Sequence, residues 1–115
     1  MATYSNKNTD NVIHLGTDFK MNVHMDPVTN SDVVYNLETL EDFKCTFHIK
    51  NGNSVTLHKN DMVPIDEDNY VAPLDSNQLG VGVLCMVFEV DIPDDDFNDS
   101  LRHEVVPITT NIKIV

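Results

Sequence analysis

Residues 79–93, LGVGVLCMVFEVDIP, form the longest apolar run of the chain and decide its fold. If the run is a strand, its alternate residues share one face; they are Leu84, Met86, Phe88, Val90 and Ile92. A buried helix is the rival interpretation, but the glycines at the start, the valines in the body and the proline at the end favour a strand. A strand that is apolar on both faces is usually central in its sheet, or covered by another element.

The opposite face of this strand carries a second apolar row, which we call the outer row: Val81, Val83, Cys85 and Val87. The face then turns acidic at Glu89 and Asp91. If the first face packs into the core, the outer row points away from it, and a contiguous apolar row on an outer face marks a contact site. We therefore predict a protein interface at the outer row, with a second copy of the chain as the simplest partner. Two alternatives stay open: a bulge at Gly82 could redirect Val81, and the N-terminal segment or residues 37–42 could cover the row.

Shorter alternations of apolar and polar residues predict strands in the rest of the chain. We expect them near residues 11–15, 19–25, 33–37, 43–49, 54–58, 62–65, 70–74 and 106–114. Asn51-Gly52-Asn53 indicates a hairpin, residues 29–32 a turn, and residues 94–102 a loop anchored by Phe97 and Leu101. Only residues 37–42 suit a helical turn. About seven or eight short strands with almost no helix predict an all-β, antiparallel β-sandwich, and a small barrel is the alternative.

One face of each predicted strand supplies the core. We expect it to contain Phe19, Met21, Val23, Phe43, Phe47, Ile49, Leu57, Leu84, Met86, Phe88, Val90, Ile112 and Ile114. Cys45 shares its face with Phe43, whereas Cys85 lies on the face opposite to Leu84. We therefore expect two reduced thiols that are not bonded to each other. An inter-sheet disulfide of the immunoglobulin type is the alternative, but the chain has no Trp to pack against it.

The length of 115 residues suits one domain, and we expect a polar N-terminal arm at residues 1–11 before a single β-sandwich domain at residues 12–115. The net charge of −12 argues against nucleic acid and anionic membranes as partners, since both attract positive charge. The first residues carry no apolar signal-peptide core, and no apolar run approaches the ~20 residues of a membrane span. We therefore expect a protein that is made in a cytoplasm.

Residue patterns that carry chemistry are weak. No nucleophile elbow or phosphate loop is present, so we expect no enzymatic activity and no cofactor. His24, His48 and His58 would converge on a metal only if their strands were neighbours, and no close His pair supports this, so we expect no metal. The acidic residues 66–68 and 94–96 lack the spacing of a calcium loop and are typical of turns. The Gly80-x-Gly82 pair precedes a strand, so it indicates a bulge or a close backbone approach.

Three stretches resemble small β-rich proteins of Bacteroides phages and prophages: LGVGVL at residues 79–84, IPDDDF at residues 92–97 and RHEVV at residues 102–106. The acidic turn at residues 61–70 resembles the same group, and the likeness extends from about residue 18 to the C-terminus. The resemblance implies a virion structural protein with an immunoglobulin-like sandwich. It is similar in kind to the N-terminal domain of phage baseplate upper proteins and to head-fibre proteins of crAss-like phages. The family often has Pro-Asp-Gly after Phe97, where this chain has Asn98-Asp99-Ser100.

The resemblance also sets the functional expectation. We expect a non-enzymatic virion protein, made in the bacterial host cytoplasm, that docks on other virion proteins and forms a homo-oligomer. Head fibre, capsid decoration and baseplate or tail adaptor are the roles considered. No fibre shaft follows Val115 in this sequence, which favours an adaptor over a receptor binder. The alternative function is a carbohydrate- or cell-surface-binding β-sandwich module of bacterial origin, for which three Tyr and no Trp offer few stacking residues.

Overall fold

The computed structural model describes residues 11–115, and residues 1–10, where we expected most of the N-terminal arm, lie outside the described residues. Ten strands and two single-turn 3₁₀ helices, Lys59–Asp61 and Ser76–Gln78, make up the described chain. The strands are β1 (Asn11–Ile13), β2 (Asp18–His24), β3 (Val28–Asn30), β4 (Val33–Tyr35), β5 (Phe43–Ile49), β6 (Ser54–His58), β7 (Val63–Pro64), β8 (Asn69–Asp75), β9 (Gly82–Pro93) and β10 (Leu101–Ile114).

The strands form two facing sheets and a separate hairpin. The larger sheet has five strands in the order β1-β10-β9-β5-β6, the smaller has three in the order β2-β8-β7, and β3 pairs with β4. All pairs are antiparallel except β1 with β10, which is parallel. The predicted all-β sandwich is therefore confirmed, and β9 is the central strand of its sheet. β3 falls where no strand was expected, because a strand of three residues shows no clear alternation.

The core lies between the two sheets and matches the predicted list closely. Every residue expected there is buried except Leu57, which is half-buried and packs against the core from the edge strand β6. The Phe43 ring packs edge-on against Tyr70 of the smaller sheet, with ring centroids 5.3 Å apart. It also packs against the Phe88 ring of β9, with ring centroids 5.9 Å apart. Aromatic contact between layers adds to the burial of apolar area that holds the two sheets together.

Gly82 lets β9 enter the sheet close beside β5. Its φ is +144°, and a Cβ built there would lie 2.5 Å from Cγ2 of Ile49. That distance leaves no room for a side chain, so the close backbone approach predicted for Gly80 and Gly82 is confirmed at Gly82. Gly80, with φ +102° and open space around its Cα, needs glycine for its backbone conformation alone.

Residues 36–42 fill the core rather than cover the outer row. They contain one helical turn, in which the Leu40 N–H donates to the Asn36 carbonyl oxygen at 3.0 Å. The Thr39 N–H donates to the Asn36 side chain at 2.9 Å and fixes the turn. Leu37 and Leu40 are both buried in the core cluster. This segment is therefore excluded as a cover for the outer row.

Two predictions about loops were wrong. Phe97 and Leu101 do not anchor the loop at residues 94–102, because their side chains are 46% and 37% exposed. Backbone hydrogen bonds hold this loop instead, including one of 2.9 Å from the Asp94 N–H to the Ser100 carbonyl, and β10 already begins at Leu101. The turn expected at residues 29–32 is confined to Ser31 and Asp32, because Thr29 pairs with Val34 in the β3–β4 hairpin.

The smaller sheet leaves part of the larger one uncovered. Val106 and Ile108 of β10 point to the inner side beside Phe88 and Met86 of β9, yet each is 41% exposed. They line an open groove of about 330 Å³ whose far wall includes Val28. Residues 101–109 of β10 pair only with β9 among the described strands, which is why Pro107 is tolerated in the strand.

We predict that Phe47→Ala lowers the free energy of unfolding by about 3–5 kcal/mol, because the ring is fully buried and its removal leaves a cavity. Phe97→Ala is the matched control, since it removes the same atoms from an exposed site and should cost less than about 1 kcal/mol. Urea denaturation of both variants measures the two values. Equal costs would mean that the inner face has been misassigned.

We predict that Gly82→Ala destabilises the protein more than Gly80→Ala, by about 1–3 kcal/mol, because only the first substitution adds a steric conflict with Ile49 to the strain of positive φ. Thermal melts of the two variants test the difference. If Gly80→Ala is as damaging as Gly82→Ala, backbone conformation alone explains the glycine requirement.

Candidate interface on the outer face of the larger sheet

Three residues of the outer row, Val83, Cys85 and Val87, lie on the face of the larger sheet that points away from the core, as the sequence predicted. Val81 and Val83 are 60% and 44% exposed, and Cys85 and Val87 are half-buried between neighbouring strands. Val81 precedes β9, so the loop through Gly80 and Gly82 sets its direction rather than the alternation of the strand. It is nevertheless the most exposed residue of the row.

Strand register extends the apolar row sideways onto β10. Pro107 lies opposite Val87, and Val105 lies opposite Glu89, both on the outer face. Val105 is 52% exposed, so the apolar surface is wider than a single strand. Sequence reasoning missed Val105 and Pro107 because only the long-range register between β9 and β10 brings them beside the outer row. The sequence offered one clue. Both residues have odd numbers, whereas the buried Ile112 and Ile114 have even numbers, which places the two sets on opposite faces of the strand.

On the other side of β9, the middle of the outer face is polar but uncharged. Thr46 of β5 lies opposite Val87, and Thr56 of β6 lies opposite Thr46. The two Thr hydroxyl groups are hydrogen-bonded to each other at 3.0 Å. Their hydrogen-bonding capacity is thus partly satisfied within the sheet, which lowers the cost of removing this surface from water.

One end of the outer face is acidic. Asp91 accepts a hydrogen bond of 2.6 Å at Oδ1 from Nδ1 of His103. Glu89 lies between His103 and Lys44. The distance from Nε2 of His103 to Oε1 of Glu89 is 3.7 Å, and the distance from Nζ of Lys44 to Oε2 of Glu89 is 3.6 Å. All four residues come from neighbouring strands of the same sheet.

Asp42 and His58 continue this acidic end at the edge of the sheet. Nδ1 of His58 lies 2.9 Å from Oδ2 of Asp42. Partial burial by itself would raise the pKa of Asp42, but the hydrogen bonds from His58 and from the Lys59 N–H outweigh it and hold that pKa below its ordinary value. Asp42 therefore stays ionised, and the acidic end surrounds a shallow cavity of about 250 Å³.

The opposite end of the outer face is basic. Lys113 of β10 lies opposite Val83, and Lys50 is in the turn that follows β5. Both side chains are exposed, and neither takes part in an ion pair with another described residue. The strand residues between the two ends are uncharged apart from the titratable His48 and Cys85. The face thus has an acidic end, an apolar and neutral middle, and a basic end.

The two cysteines have different environments, and the prediction that they do not bond to each other is confirmed. Cys45 is fully buried on the inner face opposite Phe88, whereas Cys85 is half-buried on the outer face opposite His48. Burial in apolar surroundings raises the pKa of the Cys45 thiol to about 12, because the thiolate would lose its hydration. Cys45 is thus unreactive near neutral pH.

The histidines considered for a metal site do not converge. His24 lies on β2 in the smaller sheet, where its hydrogen bond to Asp26, 2.8 Å long, raises its pKa. His48 and His58 lie on the outer face of the larger sheet, on β5 and β6, nearer opposite ends of that face. Within residues 11–115, no group of three or more His, Cys, Asp or Glu is arranged to hold a metal ion.

The acidic clusters have local structural roles. Oδ1 of Asp66 accepts hydrogen bonds from the Asp68 N–H and from Nδ2 of Asn69, both at 2.9 Å. Oδ1 of Asp94 accepts from the Asp96 N–H at 3.1 Å. The bonds from the two backbone N–H groups close turns, as Asp commonly does, and the bond from Asn69 joins two side chains.

Comparison of the chain with protein-family models, with curated proteins and with solved structures gave no match. None of the helices in residues 11–115 is long and apolar enough to cross a membrane.

We predict that a maleimide reagent labels one thiol per chain in the native protein, at Cys85, because Cys45 is inaccessible and its thiolate is scarce. Cys85→Ser should abolish labelling until denaturant is added, which mass spectrometry detects directly. Fast labelling of Cys45 in the folded protein would contradict the buried position of β5.

Proposed function

We propose that this chain is a non-enzymatic structural protein of a phage virion that docks on other virion proteins through the outer face of its larger sheet. The observation that carries the docking part is the apolar surface formed by the outer row together with Val105 and Pro107. Exposed apolar surface that is rimmed by charged residues is typical of protein contact sites. Here the charges lie at the two ends, at Glu89 and Asp91 and at Lys113.

The virion part of the proposal derives from the resemblance to small phage proteins. Its three stretches lie along two neighbouring strands: residues 79–84 lead into β9, residues 92–97 lead out of its far end, and residues 102–106 belong to β10. They therefore frame the same two strands that present the outer face. Head fibre, capsid decoration and baseplate or tail adaptor all require a small stable domain that offers a sheet surface to a larger assembly. Synthesis in the bacterial host cytoplasm and residence in the virion are parts of this proposal.

The alternative function, a carbohydrate- or cell-surface-binding module, gains no support from the aromatic residues. Tyr70 is buried in the core, and Tyr35 is half-buried beside the β3–β4 hairpin. Phe97 is the one aromatic side chain with substantial exposure among residues 11–115, and it lies alone in a loop. A sugar-binding site normally presents several exposed rings on one surface.

We predict that Val83→Lys combined with Val87→Lys leaves the domain folded but removes docking, because two charges would be buried without partners in the contact. Val33→Lys with Val34→Lys is the matched control, since these valines of β4 are 48% and 51% exposed on a different part of the molecule. Thermal melts and incorporation into phage particles are the two measurements. Normal incorporation of the folded Val83/Val87 variant would eliminate this interface, and an unfolded variant would place the row in the core.

Mass spectrometry of purified particles of the phage that encodes the chain tests the virion part independently. We expect the protein at a fixed copy number relative to the major capsid protein. Its absence from particles that are otherwise complete would overturn the virion proposal while leaving the docking surface open to a different partner.

A further inference from the structure

Building on the proposed docking function, we propose that the virion protein that occupies the outer face is a second copy of the chain. The two larger sheets would pack face to face about a two-fold axis that lies between them and crosses the strands. β9 of one copy then runs antiparallel over β9 of the other. Contact of one patch with the same patch on its copy is the arrangement of most symmetric dimers.

The charge distribution on the outer face selects this orientation. A two-fold axis that crosses the strands reverses their direction, so the acidic end of one copy, with Glu89 and Asp91, lies over the basic end of the other, with Lys113 and Lys50. An axis parallel to the strands would instead place acidic end over acidic end. Packed sheets are about 10 Å apart, a gap that Lys and Glu side chains can bridge together.

Two copies of so acidic a chain also repel each other, since each carries a net charge of −12. At physiological ionic strength the Debye length is about 8 Å, so charges on distant surfaces are largely screened. Charges that meet directly across the face act over shorter distances. The local pattern, rather than the net charge, therefore determines whether the two faces attract.

The face has the size of a stable interface. The strands β1, β10, β9, β5 and β6 contain 3, 14, 12, 7 and 5 residues, and each residue occupies ~16 Å² at a strand spacing of ~4.8 Å and a rise of ~3.3 Å. The product is ~650 Å² per copy, or ~1,300 Å² in total, which lies within the range of specific complexes. The apolar middle, with Val87 and Pro107, falls near the axis and is fully covered, while the charges form the rim.

Cys85 provides a direct probe of this arrangement, because it lies only two residues from Val87 on β9. With the axis near Val87, the two copies of Cys85 are ~13 Å apart along the strands and ~10 Å apart across the sheets. A bis-maleimide whose spacer spans ~15 Å should join two chains through Cys85 in dilute solution, since this length matches the separation of the two thiols. Cys45 should not react because it is buried. Cys85→Ser is the control and should give no cross-linked dimer. Failure of the wild-type chain to cross-link, at concentrations where sedimentation shows a dimer, would rule out contact through this face.

Charge reversal tests the orientation. Lys50→Glu with Lys113→Glu should weaken self-association at least about 10-fold in sedimentation equilibrium, since acidic groups would then meet acidic groups. Glu89→Gln with Asp91→Lys should weaken it likewise. Mixing the two variants should restore association as a heterodimer. Circular dichroism and thermal melts show that each variant is folded, and Asp91→Lys alone replaces the second variant if it is not.

The outcomes separate this inference from the proposed function. A wild-type chain that stays monomeric at high concentration, or a mixture of reversed variants that fails to associate, overturns the second copy as occupant. If the wild-type chain is monomeric and the Val83/Val87 double variant is not incorporated into particles, the outer face docks on a different virion protein. Normal incorporation of that variant overturns the proposed docking function, whereas a loss of its self-association in sedimentation supports the contact between two copies.

Discussion

The pairing of β9 with β5 on one side and β10 on the other is the interaction on which the rest of the structure depends. It joins β9 to β5, whose paired residues lie 35 to 47 positions earlier, and to β10, which follows after a short loop. It also fixes which side chains of the three strands meet on each face. On the inner side it assembles the apolar layer that packs against the smaller sheet through Phe43 and Tyr70. On the outer side the same register creates a surface ordered from acidic to basic. Gly82 makes this pairing possible, because a side chain at its position would collide with Ile49.

The sequence predicted the inner half of this arrangement well, because burial imposes a period of two that can be read locally. The alternation in β2, β5 and β9 identified about half of the buried core, including the different faces of Cys45 and Cys85. Residues outside clear alternation, such as Leu37, Leu40 and Leu79, were missed. The β3–β4 hairpin and the real anchoring of residues 94–102 were not predictable in this way. The hairpin strands are too short for a period, and the loop depends on backbone hydrogen bonds that leave no apolar signature.

The candidate interface was only half predictable for a related reason. The outer row lies along one strand and is visible in one stretch of sequence, whereas Val105, Pro107 and Lys113 join it through strand pairing. Register between strands is a property of the folded sheet, so no local pattern reports it. The charged ends of the face depend on strand pairing as well. Glu89 contacts Lys44 and His103, which are distant from it in sequence and adjacent in the folded sheet.

The parallel pairing of β1 with the end of β10 has a consequence for how the chain folds during synthesis. Asn11 is aligned with Ile112, a partner translated about 100 residues later. Translation proceeds at about 5–20 residues per second, so β10 is synthesised roughly 5–20 s after β1. During that interval β1 lacks a partner, because β10 is the one described strand with which it pairs. Contacts of such long range are also slow to form, so the final closure of the sheet is expected to set the pace of folding.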